Sequence, residues 1–380
     1  MLRLSEILHL DLQEPTPLAA QLAEQLTWLI ASGKMHAGDK LPTIRALADE
    51  LGIHMHTVRD AYHRLEADQF VSIRVRRGTV VLPIQLNGFA RQRSETPSNL
   101  VGVLLPRPTA IYNSYLEGLQ QAAQEAGLLP FFCFAHDNPH LTDRLLKQLL
   151  VKGVDGFIVT STSSNHFIEH PELRESFPPI VFVDTPDIPG SLLPDSAGAA
   201  YLAVNHLVQH GYKTIGLLTC PREWANVDTC CQGYDRALED AGMKSLPEWM
   251  IEVPDFSYES GHAGAQELLQ RGPLPRALFA IADSLALGAL DVFLEAGVDV
   301  PADIALASYN DIPAAAFAQP ALTTAALPAF EMGVRAVELL MDRIAGGPPP
   351  EVPTLLETEL IIRTSCGCPP SVKGRIRREP

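Results

Sequence analysis

From Asn99 onward the sequence alternates short apolar runs with longer amphipathic segments, and no other feature constrains the fold as strongly. Apolar runs of five or six residues between turn residues predict strands, and the segments between them show helical spacing. Strands that alternate with helices form parallel sheets with helices on both faces. We therefore predict an α/β fold here, with ligands bound beyond the C-terminal ends of the strands.

The elements that this pattern predicts fit the length of two such α/β units. The strands are Leu100–Leu105, Leu129–Phe134, Gly156–Thr160, Ile180–Asp184, Thr214–Thr219, Leu278–Ile281 and Ile304–Ser308. The helices are Asn113–Ala126, Leu141–Val151, Ala197–His210, Cys231–Ala241, Tyr258–Arg271 and Ser284–Ala296.

The first ninety residues predict a different, smaller domain. The predicted elements are the helices Leu18–Ser32, Ile44–Leu51 and Met55–Ala67, followed by the strands Phe70–Val75 and Thr79–Pro83. Thr43 is suited to cap the second helix, and Gly52 ends it. Two short helices joined by a tight glycine turn are typical of the DNA-binding helix-turn-helix, and a following hairpin makes it winged.

The charge of the chain is unevenly distributed. The net charge is −16, but residues 1–90 carry nine basic and ten acidic side chains, whereas the remainder carries 20 and 35. Between Val71 and Arg93 there are five arginines and no acidic residue. A local basic stripe of this kind indicates contact with the phosphates of nucleic acid, which the average charge of the molecule would hide.

A combined motif in the N-terminal domain carries a family resemblance. The motif consists of Gly38–Ala48, Leu51–Ile53, Thr57–Tyr62 and Leu65–Glu66. It resembles the GntR-family DNA-binding domain over roughly residues 15–83. In this chain His54-Met55-His56 stands where many relatives have Ser-Arg or Asn-Pro-Asn before the Thr-Val pair, so the resemblance does not supply an operator sequence.

The winged helix-turn-helix predicts which residues contact DNA. The N-terminal end of the third helix is expected in the major groove, and the wing turn beside a phosphate or the minor groove. Arg45 matches an arginine that contacts DNA in the family that this domain resembles. The predicted DNA-binding residues are Thr43, Arg45, His54, His56, Thr57, Arg59, Arg76, Arg77 and Gly78.

The larger domain also resembles a known family. The matching segments are Asp195–Ala200, His210–Gly216, Gly233–Leu238, Asp283–Ala289, Val300–Ile304, Pro320–Thr324, Met332–Gly333 and Ile362–Gly367. They resemble the LacI/GalR regulators, whose sensor domain has the periplasmic sugar-binding fold with two lobes and a ligand between them. A GntR-type reader fused to a LacI-type sensor is similar to the arrangement in bacterial arabinose repressors.

This second resemblance implies a set of ligand-binding residues. They are Arg107, Tyr112, Asn113, Thr162, Asp184, Trp224, Asn226, Cys230, Phe256, Asp283 and Asn310. An aromatic ring can stack on the apolar face of a sugar, and carboxylate and amide groups bind hydroxyl groups. Each residue also has a structural interpretation, such as a core position for Phe256, a helix N-cap for Asp283 and a turn for Asp184.

Two departures from the family pattern bear on the ligand. Cys230 stands where sugar-binding relatives have an arginine, and Asn310 stands where many have an aspartate. Losing a bidentate donor changes which ligand a buried pocket can satisfy. Arg107 or Arg222 could supply a guanidinium from another direction. A sugar, another metabolite or no small molecule all remain open.

The sequence gives no indication of an enzyme, a metal site or a membrane segment. No nucleophile elbow, phosphate-binding loop or His-Glu-x-x-His motif occurs. The pairs Cys366/Cys368 and Cys230/Cys231 lack two further ligands at suitable spacing, so we interpret them as reduced structural thiols. His54 and His56 likewise lack partners. We expect no cofactor, no signal peptide and no membrane contact, and a cytoplasmic location.

These observations lead to a domain map and a function. The map is 1–83 for the winged helix-turn-helix, 84–98 for the linker, 99–368 for the effector-binding and dimerisation domain, and 369–380 for a disordered tail. The implied lobes are about 99–187 plus 325–352, and 188–324 plus 353–368. The predicted function is a homodimeric transcriptional repressor of a double-stranded DNA operator, controlled by a small molecule. The alternative is a sensor domain that binds a protein partner or only dimerises.

Overall fold

The computed structural model describes residues 4, 8, 10, 16–31, 34–74, 78–82, 97–169, 174, 177–369, 371 and 374–377. The chain forms two compact units. The first comprises Met1–Arg107, Gln124–Val181 and Leu340–Gly347, and the second comprises Pro108–Ala123, Phe182–Leu339 and Pro348–Pro380.

The winged helix-turn-helix lies in the first unit. Its helices are α1 (Leu18–Ala31), α2 (Ile44–Leu51) and α3 (Met55–Ala67), followed by β1 (Val71–Arg74) and β2 (Gly78–Val81), which pair antiparallel. Gly52 ends α2 in the left-handed conformation, with φ +66°. The helices bury one apolar stripe each, which is why they pack together. Their common core consists mainly of Leu22, Leu26, Leu29, Ile30, Leu47, Val58, Tyr62, Leu65, Phe70, Val71 and Val81.

A six-stranded sheet has the order β13-β7-β6-β5-β3-β4. Its strands are β3 (Leu100–Leu105), β4 (Leu129–Phe134), β5 (Gly156–Thr160), β6 (Ile180–Val183), β7 (Leu192–Pro194) and β13 (Thr354–Leu356). The helices α4 (Asn113–Glu125), α5 (Pro139–Val151) and α6 (Asn165–Glu169) fall between the first of these strands in sequence. β3 pairs parallel with both β4 and β5. Every residue of β5 and β6 is buried, as expected for parallel strands covered on both faces.

A seven-stranded sheet in the second unit has the order β15-β14-β12-β11-β10-β8-β9. Its strands are β8 (Ile215–Thr219), β9 (Met250–Glu252), β10 (Ala277–Ala280), β11 (Ala305–Asn310), β12 (Thr323–Ala326), β14 (Glu359–Ile362) and β15 (Gly374–Arg377). The five adjacent strands β9, β8, β10, β11 and β12 run parallel. β14 pairs antiparallel with both β12 and β15. The helices that follow β7 are α7 (Ser196–Gln209), α8 (Ala225–Asp240), α9 (Tyr258–Gln270), α10 (Asp283–Glu295), α11 (Pro313–Phe317) and α12 (Ala329–Ile344).

Helices α7 and α8 approach each other closely at Gly233. A Cβ atom added to Gly233 would lie 2.1 Å from the carbonyl oxygen of Ala197, a distance that no side chain tolerates. Glycine is therefore required for this contact. The contact fixes α7 against α8 in the second unit.

The mixed α/β fold with an N-terminal winged helix-turn-helix confirms the predicted fold class. The sequence pattern missed six short or half-buried strands, namely β7, β9, β12, β13, β14 and β15. It also placed the start of one helix at Cys231, whereas α8 begins six residues earlier, at Ala225. Asn226 and Cys230 therefore lie on a helix and not in the loop before it.

The predicted disordered tail is wrong for residues Gly374–Arg377. These residues form β15, which pairs antiparallel with β14. The carboxylate of Glu359 on β14 forms ion pairs with Arg375 at 2.8 Å and with Arg377 at 3.3 Å. The basic residues that suggested disorder thus have an acidic partner on the neighbouring strand, which the local sequence could not reveal.

The remaining domain boundaries stay predictions. The predicted linker, residues 84–98, lies outside the described residues except for its last two positions. In the part of the chain that the structure describes, no helix is both long and apolar enough to cross a membrane.

Candidate functional site

The N-terminal end of α3 presents a cluster of exposed polar side chains. His54 is the N-cap, and its Nδ1 accepts a hydrogen bond from the backbone N–H of His56 at 3.2 Å. The two imidazole rings stack, with centroids 5.0 Å apart and an interplanar angle of 9°. Nη1 of Arg59, one turn further along, lies 3.3 Å from Nδ1 of His56. Three of the predicted DNA-binding residues therefore form one continuous surface.

The orientation of α3 is fixed by two hydrogen bonds to neighbouring segments. The hydroxyl group of Tyr62, whose side chain is fully buried, donates to the carbonyl oxygen of Pro42 at 2.8 Å. The carboxylate of Glu66 accepts from the backbone N–H of Ile73 on β1 at 2.7 Å. The first bond holds α3 against the segment before α2, and the second holds it against the wing. The exposed end of α3 is thus presented by a rigid frame.

Two further predicted DNA-contacting residues lie at the start of α2. Oγ1 of Thr43 accepts from the N–H of Ala46 at 3.2 Å, so this threonine is the helix N-cap, as the sequence predicts. Arg45 is largely exposed and lies 4.0 Å from the carboxylate of Asp49. An exposed pair at this distance is weak, so the guanidinium can exchange Asp49 for a phosphate.

The other four predicted DNA-contacting positions are on α3 and in the wing. Thr57 is half-buried in the first turn of α3. Gly78 begins β2, is exposed and has φ +83°. Arg76 and Arg77 lie outside the described residues, so their contribution stays a prediction.

In the second unit, several of the predicted ligand-binding residues follow the C-terminal ends of parallel strands. Trp224 comes after β8, Phe256 after β9 and Asp283 after β10, and Asn310 ends β11. The carboxyl ends of parallel strands lie at one edge of a sheet, so these residues share that edge. The alternation of strands and helices predicts this edge for Trp224, Asp283 and Asn310, whereas β9, the strand before Phe256, is one that the sequence pattern missed.

Two aromatic rings lie side by side at this edge. The ring centroids of Trp224 and Phe256 are 5.9 Å apart, with an interplanar angle of 36°. The two residues are 38% and 37% exposed. Asn226 lies two residues beyond Trp224, and its side-chain oxygen accepts from the N–H of Val227 at 3.0 Å. The aromatic pair can offer an apolar surface to a ligand, and the side-chain amide N–H groups of Asn226 can donate hydrogen bonds to it.

Asp283 is completely buried and has its hydrogen-bond partners within the protein. Its Oδ1 accepts from the hydroxyl groups of Ser308 and Thr324, and its Oδ2 accepts from the N–H of Ile312 at 2.7 Å. Burial raises the pKa of this carboxyl to about 6, although the three hydrogen bonds oppose the shift. The network also orders the segment at Asn310, whose φ is +118°.

Asp184 and Cys230 converge on a tyrosine that the sequence analysis did not select. The hydroxyl group of Tyr309 lies 3.2 Å from Oγ of Ser196 and is buried. Burial, and more weakly the nearby Cys230 and Asp184, raise the pKa of Tyr309. Desolvation also raises the pKa of Asp184 to about 7. Tyr309 precedes Asn310 at the end of β11, and this position was the available signal.

Arg107 and Thr162 meet at a residue of the first unit that was also missed. The guanidinium of Arg107 and the hydroxyl group of Thr162 both donate to the carboxylate of Asp137. Asp137 follows β4 and has φ +52°. An aspartate just beyond a predicted strand is the signal that could have identified it. The three side chains form one polar cluster beyond β3, β4 and β5.

The remaining predicted positions are Tyr112 and Asn113, at the start of α4. The ring of Tyr112 lies edge-on to that of Tyr115, with centroids 6.2 Å apart, and Asn113 is exposed. Arg222, considered as a substitute for the missing arginine, forms ion pairs with Asp228 at 3.1 Å and Asp235 at 3.0 Å. Its guanidinium therefore already has two carboxylate partners.

A separate cluster has the donor set of a metal site. His206, His210, Cys366 and Cys368 place four possible ligand atoms within 4.8 Å of one another. Burial, and secondarily His210, lower the pKa of His206 to about 4, so its imidazole is neutral at pH 7. The sequence alone indicates only structural thiols for the two cysteines. The i, i+4 spacing of the two histidines was the signal that this interpretation overlooked.

Two family models match the two parts of the chain. The model for bacterial regulatory proteins of the gntR family matches residues 18–81, and the model for the periplasmic binding protein-like domain matches residues 204–366. The fold and these matches define a DNA-binding transcriptional regulator with a separate periplasmic-binding-protein-like domain.

Three similar proteins support this class. The chain is 30% identical over 296 residues to the HTH-type transcriptional regulator MalR of Streptomyces coelicolor, covering 75% of this chain and 85% of that protein. It is 29% identical over 313 residues to the HTH-type transcriptional repressor PurR of Haemophilus influenzae, covering 80% and 91%. A solved LacI family transcriptional regulator from Enterococcus faecium, with bound ribose, has a TM-score of 0.59 and 26% identity, covering 70% and 98%. The chain belongs to the LacI family of transcriptional regulators and carries a GntR-type DNA-binding domain.

Proposed function

We propose that this chain is a cytoplasmic repressor that binds a double-stranded operator through α3 and the wing, and releases it when a small molecule binds. The exposed residues at the start of α3, including Arg59, contact base edges and phosphates in the major groove. Arg45 and the wing turn Arg76-Arg77-Gly78 contact the backbone on either side. The name of the PurR relative supports repression as the direction of control.

The observation that carries the small-molecule part is the exposed pair of Trp224 and Phe256 at the C-terminal edge of a parallel sheet. Two adjacent, partly exposed aromatic rings beside polar groups can form one wall of a ligand site. The ligand class that fits is a polyhydroxylated metabolite of sugar size, because stacked rings cover its C–H face. The likeness to a regulator with bound ribose supports the same class.

The remaining residues predicted for the ligand site differ in their proposed roles. Tyr112, Asn113, Asp184, Asn226 and Asn310 face or adjoin the ligand and bind its hydroxyl groups. Cys230 lines the site. Arg107 and Thr162, which share Asp137, form a separate polar cluster in the first unit. Asp283 is fully enclosed and positions the segment at Asn310, without touching the ligand.

Control of DNA binding follows from linkage. We propose a homodimer whose two winged helices contact the two halves of a pseudo-palindromic operator. A ligand changes operator affinity only if it binds more tightly to one of two conformations of the dimer. The coupling expected for such a regulator is about 1–3 kcal/mol, or about 5- to 150-fold in operator affinity.

The experiment that tests the proposal has two stages. Selection from random or genomic DNA with the full chain identifies an operator, and anisotropy measures its affinity with and without candidate ligands. Monosaccharides, polyols, sugar phosphates, nucleosides and amino acids make up the panel. Operator binding weakened by one chemical class supports the proposal. Operator binding that no member changes overturns the small-molecule part, and favours a protein partner or a domain that only dimerises.

A further inference from the structure

Four side chains from distant parts of the sequence meet in the second unit. His206 and His210 are one turn apart on one face of the helical segment that contains α7, and Cys366 and Cys368 follow β14. Three of the four residues are buried, with exposed fractions of 6% for His206, 0% for Cys366 and 7% for Cys368. His210 is exposed and leaves a route from solvent to the cluster.

The distances between the donor atoms fit a tetrahedral metal ion. Sγ of Cys368 lies 3.1 Å from Nε2 of His210 and 3.7 Å from Nε2 of His206. Nε2 of His206 lies 3.3 Å from Sγ of Cys366. Zinc takes thiolate sulfur at about 2.3 Å and imidazole nitrogen at about 2.0–2.1 Å, which in a tetrahedron separates sulfur from nitrogen by about 3.5 Å. The observed separations scatter around that value.

The backbone of the Cys-Gly-Cys segment is shaped to bring both sulfur atoms to the same side. Gly367 has φ +95°, and its N–H donates to the carbonyl oxygen of Thr364 at 3.1 Å. A Cβ atom at Gly367 would lie 2.8 Å from the hydroxyl oxygen of Tyr212. The left-handed conformation favours glycine here, and a larger residue would also displace the Tyr212 hydroxyl group. The turn therefore belongs to the geometry of the cluster.

Neighbouring hydrogen bonds hold one of the two cysteine ligands, Cys366, in place. The hydroxyl group of Thr323 donates to Sγ of Cys366 at 3.1 Å, as expected for a residue that supports a thiolate ligand. The hydroxyl group of Tyr212 donates to the carbonyl oxygen of Cys366 at 3.1 Å. Such supporting contacts are typical of metal sites whose ligands are fixed before the ion arrives.

We propose that His206, His210, Cys366 and Cys368 bind one zinc(II) ion as a closed, four-coordinate structural site. Two sulfur and two nitrogen donors are a set that zinc prefers, and a site with four protein ligands leaves no position for catalysis. On binding, each cysteine thiol loses its proton to solvent, and the two thiolates balance the charge of the ion. The ion links the segment after β14 to the helix that carries the two histidines. This inference does not depend on the proposed function.

The test uses the full chain without a histidine tag, stripped of metal and then titrated with zinc(II) alone. We expect one zinc ion per chain, measured by elemental mass spectrometry, and a melting temperature higher than that of the metal-free chain. Cobalt(II) in the same site should give the strong visible bands of a tetrahedral ion and a thiolate-to-cobalt charge-transfer band. His210→Ala and Cys368→Ser should weaken zinc binding by more than about 100-fold, since even the loss of an outer-shell partner costs about 10- to 100-fold.

Matched variants keep the test decisive. His140→Ala removes an exposed histidine, and Cys133→Ser removes a half-buried thiol, both outside the cluster, so both should bind zinc like the unaltered chain. His210 is exposed, so its replacement should leave the circular dichroism spectrum unchanged. Should Cys368→Ser fail to fold, His210→Ala and the cobalt spectrum decide the question.

Three results would overturn the proposal. The first is an unaltered chain that binds no zinc while both cysteines react as free thiols. The second is a chain two hydrogens lighter in mass, with a disulfide between Cys366 and Cys368 in place of a metal site. The third is an equal loss of zinc in the control variants and the ligand variants.

Discussion

The carboxylate of Asp283 accepts a hydrogen bond from the hydroxyl group of Thr324, with Oδ1 2.6 Å from Oγ1. Asp283 starts α10 just after β10, and Thr324 lies on β12. The same carboxylate also accepts from Ser308 on β11 and from the N–H of Ile312. A single buried side chain therefore ties together the C-terminal part of the sheet beside the proposed ligand site.

Replacing Asp283 by asparagine should destabilise the second unit. The carboxylate now accepts from three donors. In the asparagine variant, the side-chain NH₂ group would replace one accepting oxygen and face a donor, so that a buried polar group would have no hydrogen-bond partner. The expected loss is about 1–3 kcal/mol, measured by calorimetry of the full chain. Glu295→Gln changes an exposed carboxylate on the same helix, and should stay within about 0.5 kcal/mol. Equal effects of the two variants would contradict the assigned network.

The raised pKa of Asp184 predicts how stability depends on pH. The carboxyl has a pKa of about 7 in the folded state, against 3.8 for the ordinary group. Between these values the folded state holds a proton that the unfolded state has lost, so stability is highest below about pH 4 for this group and falls as the pH rises to about 7. The slope is at most about 1.4 kcal/mol per pH unit.

Asp184→Asn should remove this contribution. Urea unfolding of the variant and the unaltered chain between pH 4 and pH 8 measures it, and the free energy of unfolding of the variant should fall less over that interval. Asp187→Asn, at an exposed position nearby, serves as the control and should follow the unaltered chain. Parallel profiles for Asp184→Asn and the unaltered chain would show that the Asp184 carboxyl is not desolvated as described.

The aromatic pair predicts a loss of ligand binding without loss of the fold. Trp224→Ala and Phe256→Ala should each weaken binding of the effector by about tenfold or more, because each removes a face of the stacking surface. The melting temperature without ligand should change little, since both rings are partly exposed. Phe317→Ala, at another exposed phenylalanine, should not alter ligand affinity. Calorimetric titration with the identified effector measures the affinity of all three variants. Unchanged affinity in both Trp224→Ala and Phe256→Ala would exclude these two residues from the ligand site.

Arg59 predicts a change in DNA affinity and in its salt dependence. Arg59→Ala should cost about 1–3 kcal/mol of operator binding if the guanidinium reads a base, and should lower the salt slope by about one if it contacts a phosphate. Arg64→Ala alters an exposed arginine at the other end of α3 and should have a smaller effect. Anisotropy titrations at several salt concentrations distinguish these outcomes. A larger effect at Arg64 would mean that the other end of α3 faces the DNA.

Much of the architecture could be predicted from the sequence because the relevant signals are local. Apolar periodicity gave the helix-turn-helix and the parallel strands, and turn residues such as Gly52 set their limits. Short strands such as β9 and β13 were missed, since three residues carry no readable period. The motifs that resemble the GntR and LacI/GalR families additionally predicted that the protein is a transcriptional regulator.

The sequence by itself determined the two domains, the order of the main elements and the edge of the sheet where the candidate ligand residues lie. Only the tertiary structure decided which of those residues are enclosed, as for Asp283, and which missed partners join them, as for Asp137 and Tyr309. It also brought His206 together with Cys366, 160 positions apart in the chain. Periodicity reports which face of an element is buried, but contacts between distant segments depend on how the whole chain closes on itself, and no local pattern carries that information.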